Sequence, residues 1–156
     1  MIDSSQLLDV AVELSAQPDR GAPRQAKLRR AISSACYALF HFFLTEASDL
    51  LVGQVERSTE RHTLVYRSFE HRRMADSCKK ISSEANRSAQ IRNCASLFVQ
   101  LQNSRHEADY DPNKRVALSE AKTAITKART AMNLLSFVTD SERRFFLTVL
   151  LLKSRS

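Results

Sequence analysis

The sequence predicts an all-α protein, and three observations support that class. Only two glycines and three prolines occur in 156 residues, and they fall between the apolar-periodic segments rather than inside them. Apolar residues recur at spacings of three and four, which is the period of a buried helical face. No stretch of useful length alternates apolar and polar residues, so no strand is expected. A chain of this length fits one domain, residues 1–156, whose core needs no disulfide or metal.

The spacing predicts five to six helices, each bounded by a breaker or a polar cap. The first ends before Pro18 and Gly21, and the second begins at Pro23 and ends at Gly53. Asp111 to Asn113, with a central proline, predict a turn after the fourth helix. The full set is residues 5–16, 23–52, 61–81, 85–108, 119–137 and 141–153.

Two of these helices carry distinct expectations about burial. The third should bury Leu64, Val65, Phe69, Met74 and Cys78 along one face. The last is apolar almost all round, so it should be either buried or part of an oligomer interface.

The charge indicates a polyanionic partner. The formal net charge is +7 and the isoelectric point is about 9.7, although a solvated basic surface would give the same totals. Residues 57–80 are the most basic segment, with seven Lys and Arg against three acidic residues. A second basic group opens the second helix, where the choice lies between a solvated face and a phosphate-facing patch; its members are Arg24, Lys27, Arg29 and Arg30.

Other features narrow the functional classes. Cys36, Cys78 and Cys94 form no CxxC pair, so we expect reduced thiols and a cytoplasmic protein. The N-terminus lacks a secretory pattern, and the longest apolar run, residues 145–152, is far short of the roughly 20 residues of a membrane span, so no membrane association is expected. No glycine-rich phosphate loop, nucleophile elbow or metal-ligand spacing occurs, so we expect neither cofactor nor metal.

The end of the fourth helix is the most informative stretch. Its buried stripe of apolar residues runs to Leu101 and then continues through Gln102, Arg105 and Asp109. Polar groups on a core-facing stripe must be paired or functional, because an unpaired one costs about 1–3 kcal/mol. The simplest alternative to a site is that Arg105 and Asp109, four residues apart, pair with each other while Tyr110 packs over the bundle end.

A polar seam is also expected on the second helix. Arg30, Ser34, Tyr37 and His41 recur at four, three and four residues, which places them on one face. The alternative is that Tyr37 and His41 only reach solvent or a backbone carbonyl.

These two regions resemble the HEPN superfamily. Residues 33–41, SSACYALFH, resemble its S-x-A-Y-Y-A-x-F-H run with Cys36 in place of the first tyrosine, and residues 105–110, RHEADY, resemble its R-x-x-A-D-Y run. The resemblance covers about residues 24–133. It implies an antiparallel up-and-down bundle, commonly dimeric, that binds or acts on RNA or nucleotides. Many members are ribonucleases of toxin-antitoxin or antiphage systems, and others are companions of small nucleotidyltransferases.

The resemblance departs from the ribonuclease pattern at one point. Those members use an Arg followed, after four to six residues, by a His, and Tyr110, Asp111 and Pro112 stand at the corresponding positions here. Metal-independent cleavage needs a base, an acid and a cation. Arg105 would be the cation, Tyr110 is a poor base near neutral pH, and His106 or His41 would have to substitute. The same spacing between Arg57 and His62 lies too early in the chain and is interpreted as a coincidence.

We therefore expect a homodimeric binding or regulatory module for RNA or a nucleotide. The alternatives are a metal-independent endoribonuclease and a protein-binding companion whose last helix docks on a nucleotidyltransferase antitoxin. The candidate catalytic residues are Arg105, Tyr110 and His106. The candidate binding residues are Arg30, Tyr37, His41, Arg67, Arg72, Arg73 and Asp109.

Overall fold

The protein is an all-α helical bundle in a computed structural model that describes residues 2–16 and 22–152. Those ranges contain seven α-helices, one short 3-10 helix at Gln54–Glu56 and no strand. The predicted fold class is confirmed at this level. The α-helices are α1 Ser4–Ala16, α2 Ala22–Val52, α3 Glu60–Arg67, α4 His71–Ser82, α5 Ala89–Tyr110, α6 Leu118–Phe137 and α7 Asp140–Leu151.

Helix α2 is the centre of the bundle. It contacts α1, α3, α5, α6 and α7, and it buries residues on more than one side. The Phe43 ring lies 5.6 Å from the Phe98 ring of α5 and 5.4 Å from the Phe146 ring of α7. The apolar core is therefore continuous where α2, α5 and α7 meet.

The apolar character of α2 has a second consequence. Residues Pro23–Val52 contain a window of mean hydropathy 1.3, so by length and composition this helix would be able to cross a membrane. Half of that window is buried inside the protein. A core helix passes the same test, so the finding is weak evidence for a membrane span.

The prediction of one continuous helix over residues 61–81 is wrong, because this segment forms two helices, α3 and α4. The Ser68 hydroxyl donates a hydrogen bond to the Val65 carbonyl at 2.7 Å and closes α3. Glu70 is extended, with φ −110° and ψ 125°, and precedes α4. The break turns Phe69 into the core and leaves Leu64 exposed, contrary to its expected burial. The helix count of five to six is therefore not confirmed.

The other boundaries differ by smaller shifts. Helix α5 begins at Ala89 rather than at residue 85, because the Ser88 hydroxyl accepts a hydrogen bond from the Ile91 N–H at 3.3 Å. The expected turn is present, with the Asn113 N–H donating to the Asp111 carboxylate at 2.9 Å. The predicted breakers Pro18 and Gly21 lie outside the described residues.

Helix α7 was expected to be either buried or part of an oligomer interface, and the structure shows burial. Phe146, Leu147 and Leu150 are buried in the core of the same chain. The guanidinium of Arg87 lies 3.5 Å from the centre of the Phe145 ring and covers another face of the helix. The predicted end of this helix at Lys153 lies outside the described residues.

Candidate functional site

Arg105 and Asp109 form an ion pair at the end of α5. Arg105 Nη1 lies 3.1 Å from Asp109 Oδ2. The other oxygen of this carboxylate accepts a hydrogen bond from the Ser33 hydroxyl of α2. The pairing that the sequence suggested is confirmed, and Asp109 also ties α5 to α2.

The guanidinium of Arg105 lies close to two tyrosine rings. Its central carbon is 5.5 Å from the centre of the Tyr37 ring and 5.9 Å from that of Tyr110, distances typical of cation–π contacts. Tyr110 is 65% exposed and Tyr37 is 38% exposed. The site therefore presents two accessible aromatic rings beside a fixed positive charge.

The charge on Arg105 is stabilised by its surroundings. Burial lowers the pKa of Arg105, but the hydrogen bond to Tyr110 and the electrostatic influence of Tyr37, Cys36 and Asp109 outweigh burial and raise it. Its Nε is buried and has no hydrogen-bond partner among the described residues. An arginine so placed remains cationic and keeps a donor that the protein does not use.

The predicted catalytic residues come together only in part. Arg105 and Tyr110 are neighbours, and the exposed His106 ring lies 5.0 Å from the Tyr110 ring. The structure gives no hydrogen bond or ion pair between His106 and either Arg105 or Asp109 among the residues described. His106 therefore joins this group through Tyr110 alone.

The turn that follows Tyr110 is fixed by a residue of the basic start of α2. Arg29 donates hydrogen bonds to the carbonyls of Ala108 at 2.9 Å and Asp111 at 2.8 Å, and a third to the carbonyl of Lys114. A cation at a helix C-terminus is favoured both by the free carbonyls and by the helix dipole. Arg29 thus holds the end of α5. Because its guanidinium is engaged with carbonyls, Arg29 belongs neither to a solvated face nor to a phosphate-facing patch.

The seam expected on α2 continues onto α3. The Tyr37 and His41 rings are neighbours along the helix, with centres 6.3 Å apart and planes inclined by 30°. His41 Nδ1 lies 2.5 Å from the Tyr66 hydroxyl, and these two rings are 5.8 Å apart at 16°. Burial lowers the pKa of His41 and raises that of Tyr66, so both rings are neutral near pH 7. Sequence reasoning missed Tyr66, which belongs to neither motif.

His71 is a second residue that the sequence did not indicate. Its ring packs 4.4 Å from Phe40, 5.6 Å from Tyr37 and 5.5 Å from Phe98. Its Nε2 lies 3.9 Å from Cys36 Sγ, and its Nδ1 is buried without a partner in the described part of the chain. Burial, followed by the electrostatic influence of Arg105 and then of His41, lowers its pKa to about 4. His71 is a neutral support beneath Tyr37.

Cys36 occupies the position of a tyrosine in the HEPN run and is buried. Its Sγ also lies 3.8 Å from Gln102 Oε1, which gives the polar Gln102 a partner on the buried stripe. Burial raises the pKa of Cys36 to about 12, so the thiol is protonated and inert. Cys78 and Cys94 are likewise free and buried.

A second polar cluster joins α2 to α3. Asp49 accepts hydrogen bonds from Arg57 Nε at 3.0 Å and from His62 Nε2 at 2.9 Å, and His62 is only 2% exposed. Burial raises the pKa of Asp49, but these two partners outweigh it and leave the pKa lowered. The Arg57 and His62 spacing that we interpreted as a coincidence therefore brings both residues onto one carboxylate.

A groove of about 410 Å³ opens beside this cluster. Arg67 contributes to its wall and is exposed. The lining residues are Ile2, Arg57, His62, Thr63, Tyr66 and Arg67.

The remaining predicted phosphate contacts are dispersed. Arg72 and Arg73 line a separate hollow with Glu70 and Asp76. Arg73 also donates to the Leu151 carbonyl at 3.2 Å and so holds the end of α7. The three predicted binding arginines of this segment therefore lie at two hollows, Arg67 at the groove and Arg72 and Arg73 at the second.

No group of three or more His, Cys, Asp or Glu among the described residues is placed to hold a metal ion. No protein-family model, curated protein or solved structure matches this chain.

Proposed function

We propose that this chain is a HEPN-type antiparallel helical bundle that binds RNA or a nucleotide through Arg105, Tyr37 and Tyr110. The observation that carries the proposal is the guanidinium of Arg105, 12% exposed, which lies 5.5 Å and 5.9 Å from the centres of two exposed tyrosine rings. Aromatic rings stack on bases whatever their sequence, and a cation within reach attracts phosphate. The net charge of +7 acts in the same direction.

The resemblance to HEPN proteins supports the wider context of this proposal. A homodimer, a regulatory role in a toxin-antitoxin or antiphage system and a nucleotidyltransferase partner rest on that resemblance alone.

RNA binding measured by fluorescence anisotropy tests the proposal. Labelled single-stranded RNA should bind at low salt, and Tyr110→Ala should weaken binding by about 1–3 kcal/mol, the contribution of one base stacked on an aromatic ring. Phe137→Ala is the matched control, because Phe137 is also an exposed aromatic residue but lies at the end of α6. Absence of binding at low salt, or equal affinities for the two variants, would contradict the proposal.

A second candidate function is a metal-independent endoribonuclease. The observation that favours it is the meeting of Arg57 and His62 on Asp49 beside a groove, since a cation and an oriented histidine are two of the groups that phosphodiester cleavage needs. Arg105 with Tyr110 and His106 is the other arrangement for the same reaction.

Incubation with tRNA, mRNA and rRNA in EDTA separates these arrangements. Cleavage that disappears in Arg57→Ala assigns the reaction to the groove, whereas loss in Arg105→Ala assigns it to the end of α5. A protein that leaves all three RNA classes intact is not this enzyme.

A further inference from the structure

We infer that Tyr37, His41 and Tyr66 form one continuous stacking surface for a single-stranded RNA segment that runs from the Arg105 site to the groove at Arg67. This inference rests on the proposed RNA-binding function and specifies its ligand, because the surface extends beyond the dimensions of one nucleotide.

The rings form a ladder with similar steps. The Arg105 guanidinium lies 5.5 Å from the Tyr37 ring, which lies 6.3 Å from the His41 ring, and His41 lies 5.8 Å from Tyr66. The ring planes of the last two pairs are inclined by only 30° and 16°. Tyr66 then reaches the His62 ring at the groove, 6.5 Å away and inclined by 27°. No step interrupts the sequence of aromatic faces between the two polar clusters.

The ladder is accessible from outside the bundle. Tyr37 is exposed, and His41 and Tyr66 are half-buried, so none of the three residues lies wholly in the core. All three rings are held from behind or from the side, Tyr37 by His71 at 5.6 Å and His41 by the Tyr66 hydroxyl at 2.5 Å. Rings that are fixed before binding lose little conformational entropy when a base stacks on them.

Cations are available at both ends of the ladder and beside it. Arg30 lies on the same face of α2 as Tyr37 and His41, and eleven residues of helix place it about 16 Å from His41 along the axis. Arg67 follows Tyr66 and lines the groove. Both arginines are exposed, and within residues 2–16 and 22–152 neither has an ion pair with a carboxylate.

The distribution of these charges fits a strand better than a mononucleotide. One phosphate can meet Arg105 or Arg67, but not both, because three aromatic rings lie between them. A strand places a phosphate at each end and bases over the rings between. A duplex hides its base faces, so the same rings have nothing to stack on.

Affinity measured against oligonucleotide length tests the inference with the full chain. We expect the dissociation constant of labelled oligouridylates to fall steeply from one nucleotide and to level off at about four, the lower end of single-strand site sizes. Duplex RNA of the same length should bind more weakly than the single strand. Equal affinities for uridine monophosphate and the longer strands would overturn the inference.

Variants of Tyr66 separate the ring from its hydrogen bond. Tyr66→Phe keeps the ring and loses the hydroxyl contact with His41, so it should bind a six-nucleotide strand more tightly than Tyr66→Leu does. Tyr66→Leu removes the aromatic face. Its affinity for the strand should be lower than that of the parent by at least about fivefold, as expected from the loss of one stacked base. Thermal melts establish that both variants are folded, and equal binding by the two folded variants would overturn the inference.

Arg67→Ala provides an independent test. It should weaken binding of the six-nucleotide strand and reduce the slope of log affinity against log salt by about 0.7. Arg129→Ala, which removes an exposed arginine of α6, is the matched control. If Tyr110→Ala weakens binding of every length but the Tyr66 and Arg67 variants change nothing, the proposed function stands and the stacking path is wrong. If no RNA binds at low salt, both fail.

Discussion

The bundle contains two arginine–carboxylate clusters on opposite ends of the same aromatic ladder. At the first, one oxygen of the Asp109 carboxylate accepts a hydrogen bond from Arg105 and the other accepts one from Ser33. The Nε of Arg105 has no partner among the described residues. At the second, Asp49 accepts hydrogen bonds from Nε and Nη2 of Arg57 and from Nε2 of the buried His62.

The difference lies in what surrounds each pair. Two exposed tyrosine rings stand beside Arg105, whereas the histidine that shares Asp49 is 2% exposed. The two clusters therefore differ in their surroundings although their residue types are similar, and we propose recognition for the first and support of the helix connection for the second. The environment of an ion pair, rather than its composition, is therefore the better indicator of its role.

Removing Asp49 should have the largest effect on stability. Asp49→Ala leaves a buried histidine without its acceptor and Arg57 without its pair, so we expect the free energy of unfolding to fall by about 2–3 kcal/mol, the lower part of the range for breaking a buried pair because Arg57 is partly exposed. Urea unfolding followed by circular dichroism measures this. Glu13→Ala, an exposed carboxylate of α1, is the control, and equal stabilities of the two variants would contradict the supporting role of Asp49.

Alanine variants of Arg105 and Arg57 should differ in which property they change, RNA affinity or stability. Arg105→Ala should lower RNA affinity by about 2 kcal/mol, since it removes a charge-assisted contact. Arg57→Ala should mainly lower stability. Anisotropy titrations at fixed salt, with thermal melts of both proteins, separate the two effects. A larger loss of affinity in Arg57→Ala would reverse the assignment and favour the groove as the primary RNA contact.

Acidification should weaken the support beneath Tyr37. The pKa of His71 is about 4 in the folded protein, below the roughly 6.5 of an unfolded histidine. The unfolded chain therefore binds the proton first, and stability is lost as the pH falls from about 6.5 towards 4, by about 1 kcal/mol between pH 7 and 5 after allowance for solvent screening. His41, whose pKa is also lowered, acts in the same direction.

Urea midpoints at several pH values measure this dependence. A His71→Phe variant cannot titrate at this position and should show a shallower pH profile than the parent. Identical profiles for the two proteins would assign the acid sensitivity to other groups.

Ser33→Ala should have the smallest effect. It removes the hydroxyl that donates to Asp109, but Arg105 still holds that carboxylate. We expect a loss of about 1 kcal/mol in stability and almost no change in RNA affinity. A large loss of affinity would mean that the position of Asp109, rather than the tyrosines beside Arg105, determines binding.

Much of the candidate site follows from spacing within single helices. Arg105 and Asp109 are four residues apart, and Tyr37 and His41 are four apart, so a helical period places each pair on one face before any contact is known. The approach of α5 to α2 was expected only from the HEPN resemblance. Tyr66 and His71 escaped prediction because they join the site from α3 and α4, either side of a break at residues 68–70.

Helical periodicity and capping act over a few residues, so the all-α class and the position of α2 could be predicted from the sequence, and the pairing of Arg105 with Asp109 was one of two alternatives. The packed structure was needed to show that Arg57 and His62 share Asp49, that Arg29 holds the end of α5 and that rings of α2 and α3 form one ladder. These contacts join residues of different elements, so their geometry depends on how those elements pack against one another.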